Sequence, residues 1–499
     1  MAGARAAAAQ PCPPAGRGHT TDGEPFMKRF KDTLPDATAP LFHAMNLLSE
    51  SGTARFHMPG HKGEPIFQTF SEVFAIDFTE TYGTGNLYTG EGPIREAELA
   101  AARFYHAADC LFLTGGSTQG VLSMLAAAVP PGGELLIDRC CHKSVCTALA
   151  LLDLEPHFLV PPVLEPFGIP SALEPAAVEA ALDEHPSARA LLVTSPNYYG
   201  VRQQLEELAR LCHARGRLLL VDAAHAAHFP AVRLPSPVQE GADCAVLSTH
   251  KTLPCLGQGA FLLCGGGVAP EALREAAALF GTSSPSYPIL CSLDLARAWA
   301  EGQGAAAFHE SAKACAAVRS LVSYSTPFLA LEPEMAPHGL DPCRLTVCTA
   351  GTSLTGHALA DVLFGEFAVA CEMADARNVV FILTGADAPR SIQRLRQGLA
   401  KVAKRTRQAP LPEKAAPPEL PQRKMRVREA WFAPHERTPL ADASGKVCAR
   451  PVTPYPPGAP LVYPGEEISA VQIELLRKRC YNEIETVSQG CAKAPAGHV

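Results

Sequence analysis

The residues best suited to chemistry are a lysine and an aspartate about one strand–helix unit apart. Lys251 lies in Ser248-Thr249-His250-Lys251-Thr252-Leu253-Pro254, directly after the mainly apolar run 242–247. Asp222 closes Arg217-Leu218-Leu219-Leu220-Val221-Asp222. Both runs are too short for free-standing helices and predict buried parallel strands, whose carboxyl ends are where open α/β sheets bind ligands. An amine there can form a Schiff base with an aldehyde. A carboxylate there can keep a pyridine nitrogen protonated, so that the ring accepts electrons. Pyridoxal phosphate (PLP) chemistry needs both. Taken singly, each residue has a plainer explanation, a solvated loop lysine and a helix N-cap.

A phosphate needs donors as well. Leu111-Phe112-Leu113-Thr114-Gly115-Gly116-Ser117-Thr118 runs from an apolar strand through a glycine turn to two hydroxyls, ahead of a helix over 121–128. Free amides at a helix N-terminus, joined by hydroxyls, hold phosphate. Ser-Thr pairs open many helices, so the signal lies in the position of Ser117 and Thr118 ahead of Asp222 and Lys251. His142 follows the strand 134–137 in Asp138-Arg139-Cys140-Cys141-His142-Lys143-Ser144. It can lie flat against a pyridine ring, although a capping or core histidine is the plainer reading.

The elements that must position these residues alternate. A strand over 190–194, an amphipathic helix over 203–214 stopped by Gly216, and a strand over 218–221 make a βαβ unit and predict a mostly parallel sheet. A helix over 293–303 leads out of this domain. Strands over 343–347 and 379–383, with helices over 355–364 and 388–403, predict a smaller α+β unit. The resulting division is a disordered tail at 1–26, a major domain with its N-terminal segment at 27–315, and a small domain at 316–408. A proline-rich linker at 409–424 and a C-terminal domain at 425–485 complete it.

Composition is that of a soluble enzyme. The chain has 499 residues, is 47% hydrophobic and carries a net charge of −7. It has no strong basic field, which argues against nucleic acid or an anionic membrane as partner. No apolar run approaches the ~18 residues of a membrane span. The Ala/Pro/Gly-rich start lacks the hydrophobic stretch of a signal peptide. Its 17 cysteines are scattered without metal-ligand pairing, as in reduced cytoplasmic proteins. His57 and His61 share the spacing of a helical zinc pair, but Pro59-Gly60 between them forbids that helix. His225 and His228 need only a turn leading away from the sheet. No metal is expected.

In this order and spacing the segments resemble the bacterial Orn/Lys/Arg decarboxylase family of fold-type I PLP enzymes, most of all its shorter biosynthetic arginine/lysine type. The resemblance runs over roughly 27–480. It is carried by Phe56-His57-Met58-Pro59-Gly60-His61-Lys62-Gly63, Gly83-Thr84-Gly85-Asn86-Leu87-Tyr88, the segments above, Thr194-Ser195-Pro196-Asn197-Tyr198-Tyr199-Gly200, Thr282-Ser283-Ser284-Pro285-Ser286-Tyr287 and Tyr463-Pro464-Gly465-Glu466. It implies an α/β fold-type I (PLP-dependent transferase-like) major domain with a mostly parallel sheet, a small α+β domain and a C-terminal decarboxylase domain. In it Lys251 carries the cofactor, Asp222 pairs with its pyridine nitrogen, and His142 stacks on the ring with His225 beside it. Ser117, Thr118, Ser248 and His250 hold the phosphate. The loop from Thr282 reaches the cofactor of a neighbouring subunit, which makes a homodimer the smallest active unit. The implied reaction is decarboxylation of a basic L-amino acid, arginine ahead of lysine or ornithine, in polyamine biosynthesis. Ala223 stands where the family has Glu, and Gly115, Gly85 and Gly257 also depart from its pattern. Two alternatives remain: another PLP reaction such as transamination or elimination, since the same scaffold serves several reactions, and, from the departures, a catalytically weakened PLP-binding homologue.

Specificity for a cationic substrate end needs an acidic partner. The rigid Pro454-Tyr455-Pro456-Pro457-Gly458 loop, with Tyr455 at its tip, and the carboxylate of Glu466 or its neighbour Glu467 are the sequence's candidates.

Overall fold

The computed structural model describes residues 38–414, 420–454 and 458–488. The expected tail at 1–26, Tyr455 and part of the proline-rich linker lie outside the described residues.

Seven strands form the central sheet: β1 (Asp109–Leu113), β2 (Glu134–Asp138), β3 (Glu155–Leu159), β6 (Ala188–Thr194), β7 (Leu218–Asp222), β8 (Cys244–Leu247) and β9 (Ala260–Cys264). β4 (Val163–Leu164) and β5 (Ile169–Pro170) pair apart from it. The spatial order is β1-β9-β8-β7-β6-β2-β3. β9 runs antiparallel to both neighbours, while β8, β7, β6, β2 and β3 are mutually parallel. Side chains alternate between two cores: Leu191 and Val193 of β6 face one cluster, Ala190 and Leu192 the other. The helices Gly92–Tyr105, Leu205–His213 and Tyr287–Glu301 cover the first face, and Gly116–Ala128 and Lys143–Leu152 the second. A sheet buried on both faces explains why its strands read as continuous apolar runs.

The second sheet is antiparallel, β10 (Leu329–Ala330), β11 (Arg344–Cys348), β13 (Asn378–Ile382) and β12 (Met373–Ala374) in spatial order. The helix Gln303–Ser325, 23 residues long, leads into it and runs straight through the expected boundary at 315/316. Its Cys315, Val318 and Val322 pack in the core of the second sheet. A further cluster of Phe167, Tyr199, Val201, Leu340 and Cys348 seals the two sheets together. β14 (His435–Pro439) pairs with β15 (Glu483–Val487) in the C-terminal part, beside the helix Ala470–Arg477. No described helix is long and apolar enough to cross a membrane.

Candidate active site

Parallel direction brings the carboxyl ends of β2, β6, β7 and β8 to one edge of the sheet, and the candidate residues emerge there. Asp222 is the last residue of β7, one position earlier than a residue following the strand, and is 4% exposed. Its Oδ1 accepts the amide of Ala224, 3.2 Å away. β8 ends at Leu247, and Ser248 leads into a short helical turn, Thr249–Thr252, that carries Lys251.

Lys251 Nζ lies 3.3 Å from His225 Nε2. Burial lowers the Lys251 pKa, with Arg344 adding to that effect and the charges of Asp222 and Glu372 opposing it. Burial also lowers His142, against the pull of Asp222 and with the push of Lys251. Lys251, Asp222, His142 and His225 therefore share one electrostatic neighbourhood. The His142 Nδ1 accepts the Ser144 amide, at 3.2 Å, and so caps the helix Lys143–Leu152. The capping role and a ring standing at the sheet edge occur in the same residue.

The phosphate candidates divide. Ser248 Oγ donates to Ser117 Oγ at 2.7 Å, so strand β8 and the start of the helix Gly116–Ala128 meet as expected. That helix begins at Gly116, whose φ of +72° suits glycine, and no side chain caps it. A Cβ on Gly116 would find only the Gln258 carbonyl oxygen, at 3.9 Å. The Gly116 amide donates to the Gln258 carbonyl, and the open space, the first-turn amides beyond it and two converging hydroxyls fit a phosphate. Thr118 is exposed beside them. His250 is engaged through Nδ1, which donates to the Gly259 carbonyl at 3.0 Å and leaves Nε2 as the ring nitrogen for a ligand. The donor set, with an amine and a carboxylate on adjacent strands, fits PLP. Thr282 is exposed and its Oγ1 accepts the Ser284 amide; among the described residues no side-chain hydrogen bond ties it to this edge.

Glu466 corrects an expectation. It is 2% exposed, and both its carboxylate oxygens bond the guanidinium of Arg139, at 2.5 and 2.8 Å. One of them also accepts the Tyr463 amide. The Arg139 guanidinium stacks over the rings of Phe158 and Tyr463. This carboxylate is buried and its charge is already paired with Arg139, which accounts for it without a substrate cation. Glu467 is occupied at the surface by Lys424. The C-terminal domain instead braces the loop that carries His142: Tyr463 meets Cys141 Sγ, and Gly458 accepts the Lys143 amide.

Sequence reasoning missed two contributions from the second sheet. Arg344, the first residue of β11 and 1% exposed, reaches His225 Nδ1 at 3.0 Å. Glu372, exposed beside β12, receives the Tyr198 hydroxyl at 2.5 Å, while the Tyr198 ring stands edge-on to His225. Neither has a local pattern that singles it out. Arg344 lies in the strand foreseen over 343–347 and Tyr198 in a segment already marked, yet neither placement points to the site.

The Orn/Lys/Arg decarboxylase major-domain model matches residues 39–338, and the model of that family's C-terminal domain matches 405–481. An arginine decarboxylase of Bacillus subtilis is 30% identical over 88% of this chain and 93% of its own length. The constitutive lysine decarboxylase of Escherichia coli is 24% identical over 89% of this chain and 77% of its own. Among solved structures, the Francisella novicida lysine decarboxylase superposes with a TM-score of 0.78 at 19% identity, covering 91% of this chain and 82% of that one.

Proposed function

This chain belongs to the Orn/Lys/Arg decarboxylase family, and from that premise we propose that it is a PLP-dependent decarboxylase of a basic L-amino acid, arginine first. The observation that carries the reading is the placement of Asp222 and the Lys251 turn at the ends of adjacent parallel strands. The resemblance to an arginine decarboxylase supports the choice of substrate.

The bound cofactor supplies an electron sink for the bond that loses carbon dioxide. This chain's residues do the rest. Lys251 offers an amine that burial keeps neutral more readily than in water, and a neutral amine is the nucleophilic form. Asp222 would hold a proton on the pyridine nitrogen. Ser117, Thr118 and Ser248 would hold the phosphate, with His250 beside them, and His142 would lie against the ring. Glu372, steadied by Tyr198, takes the place foreseen for Glu466 and meets the substrate's distal cation, where a guanidinium can pair with both carboxylate oxygens. His225 and Asp222 are themselves nearly inaccessible to bulk water.

The smallest active unit in this reading is a homodimer. Phe56, Met58, Ile66, Phe67, Phe70 and Tyr82 are exposed in one protomer, an apolar segment of the kind a second copy covers. The described cysteines are free thiols, which suits a cytoplasmic enzyme supplying amines for polyamine synthesis. The test is incubation with PLP and, separately, arginine, lysine and ornithine. Release of carbon dioxide with the matching amine is expected, fastest from arginine. A keto acid, or no product from any of the three, would overturn the reading.

A further inference from the structure

We propose that Arg344 is a positioning residue for the reactive lysine: by donating to His225 Nδ1 it holds that ring as the neutral tautomer whose Nε2–H points at Lys251 Nζ. The proposal rests on Lys251 being the reactive amine, yet it concerns only hydrogen placement among three residues of this chain.

Donor capacity fixes the tautomer. A guanidinium has five donors and no acceptor. The Arg344 contact to His225 Nδ1, at 3.0 Å, therefore requires a lone pair on Nδ1. A neutral imidazole with that lone pair carries its proton on Nε2. Nε2 lies 3.3 Å from Lys251 Nζ, and an N–H aimed there needs a lone pair on the amine. One fixed cation thus dictates three hydrogen positions in sequence, ending with a neutral lysine.

The surroundings enforce the same arrangement. Burial pushes His225 well below the ordinary histidine range, and Lys251, Arg344, His228 and His142 all oppose a second proton on its ring. The Tyr198 ring packs against it in a T-shaped contact, 5.0 Å between centroids. His228 is itself paired with Asp341, at 2.9 Å, and so is not a base for His225 through that nitrogen. Arg344 is held from several directions. Its second terminal nitrogen donates to the Tyr198 carbonyl at 3.2 Å, and Asp341 lies 3.8 Å away. A Cβ on Gly200 would come within 2.8 Å of the Arg344 Cβ and Cγ, so the 198–200 loop closes against its stem. The cation is supplied by the second sheet and the imidazole by the first, which ties lysine activation to the docking of the two.

The test uses the full chain labelled with nitrogen-15 histidine, without cofactor or substrate, and His225→Asn to assign the signal. In the wild type, His225 is expected to show protonated Nε2 and bare Nδ1 from about pH 6 to 9. In Arg344→Met the ring should titrate or shift to the Nδ1–H form. Acylation of Lys251 at fixed pH, read by peptide mapping, should slow roughly tenfold, the effect of about one unit in its pKa. Arg344→Lys, which keeps a cationic donor, should recover both signals. A protonated Nδ1 in the wild type overturns the proposal, as does Arg344→Met with unchanged tautomer and labelling rate. If Arg344→Met does not fold, the wild-type spectrum and Arg344→Lys still decide. None of these readouts depends on whether the chain decarboxylates anything.

Discussion

Arg139 and Glu466 form a buried bidentate pair that joins the loop after β2 to the C-terminal domain across 327 residues of sequence. The pair fixes the distal domain to the segment that carries His142. Its burial makes the two partners mutually dependent, since either one alone would be a charge out of reach of water.

Glu466→Gln is accordingly expected to destabilise the protein by about 3–5 kcal/mol, the cost of leaving a buried charge unpaired. Urea unfolding measures this. The Michaelis constant for arginine should change little in whatever fraction stays folded; a large selective rise with unaltered stability would return Glu466 to the substrate.

Glu372→Gln should act in the opposite sense. Loss of a charge-assisted hydrogen bond of about 1.5–3 kcal/mol raises the Michaelis constant for arginine roughly 10- to 100-fold. Stability should hardly move, because Glu372 is exposed. Steady-state kinetics with thermal melts separates the two, and an unchanged Michaelis constant would remove Glu372 from the site.

Asp138 offers a pH test. It is 3% exposed, accepts the Cys140 amide at 2.9 Å, and is pushed by burial up to about 6. An unfolded aspartate titrates near ~3.9. Between these values the folded chain keeps a proton that the unfolded chain has released, so the residue's contribution to stability falls as pH rises through that window. Relative to Asp138→Asn, the wild type should therefore lose up to about 3 kcal/mol between pH 4 and pH 7. Urea midpoints at several pH values would reveal a flat difference if Asp138 stays ionised throughout.

His225 gives a second pH signature. Its folded pKa is depressed, so the folded state refuses a proton that the unfolded chain accepts near ~6.5. The wild type should lose stability as pH falls below that value, and His225→Gln should lose less. Equal acid sensitivity of the two proteins would contradict the buried neutral ring.

Much of this was legible before any coordinates. Short apolar runs broken by polar residues marked β1, β2, β6, β7 and β8, because strands buried on both faces leave no room for polar positions until they end. Asp222 closes β7 and Lys251, His142, His225, Ser117 and Ser248 follow strand ends; parallel pairing gathers those of β2, β7 and β8, and the antiparallel β9 between β8 and β1 brings in Ser117. Boundaries were less legible. The helix at Gly116 starts earlier than its apolar residues suggest, because glycine and hydroxyl residues form its first turn. The helix Gln303–Ser325 carries no Gly or Pro at 315/316 to mark a division, and it serves both units. What the sequence hid were pairings between distant charges. Arg344 finds His225 at a separation of 119 residues, and Tyr198 finds Glu372 at 174. Glu466 looks like a candidate for a substrate cation because nothing near it in sequence announces Arg139. No local periodicity encodes such contacts; they follow from how the second sheet and the C-terminal domain dock.

The central claim is that the ε-nitrogen of Lys251 carries the cofactor. Borohydride reduction of the PLP-loaded protein, followed by proteolysis and mass spectrometry, tests it directly. The account predicts a pyridoxyl group on the peptide containing Lys251 and its loss in Lys251→Ala. A pyridoxyl group on another lysine, or on none, would contradict it.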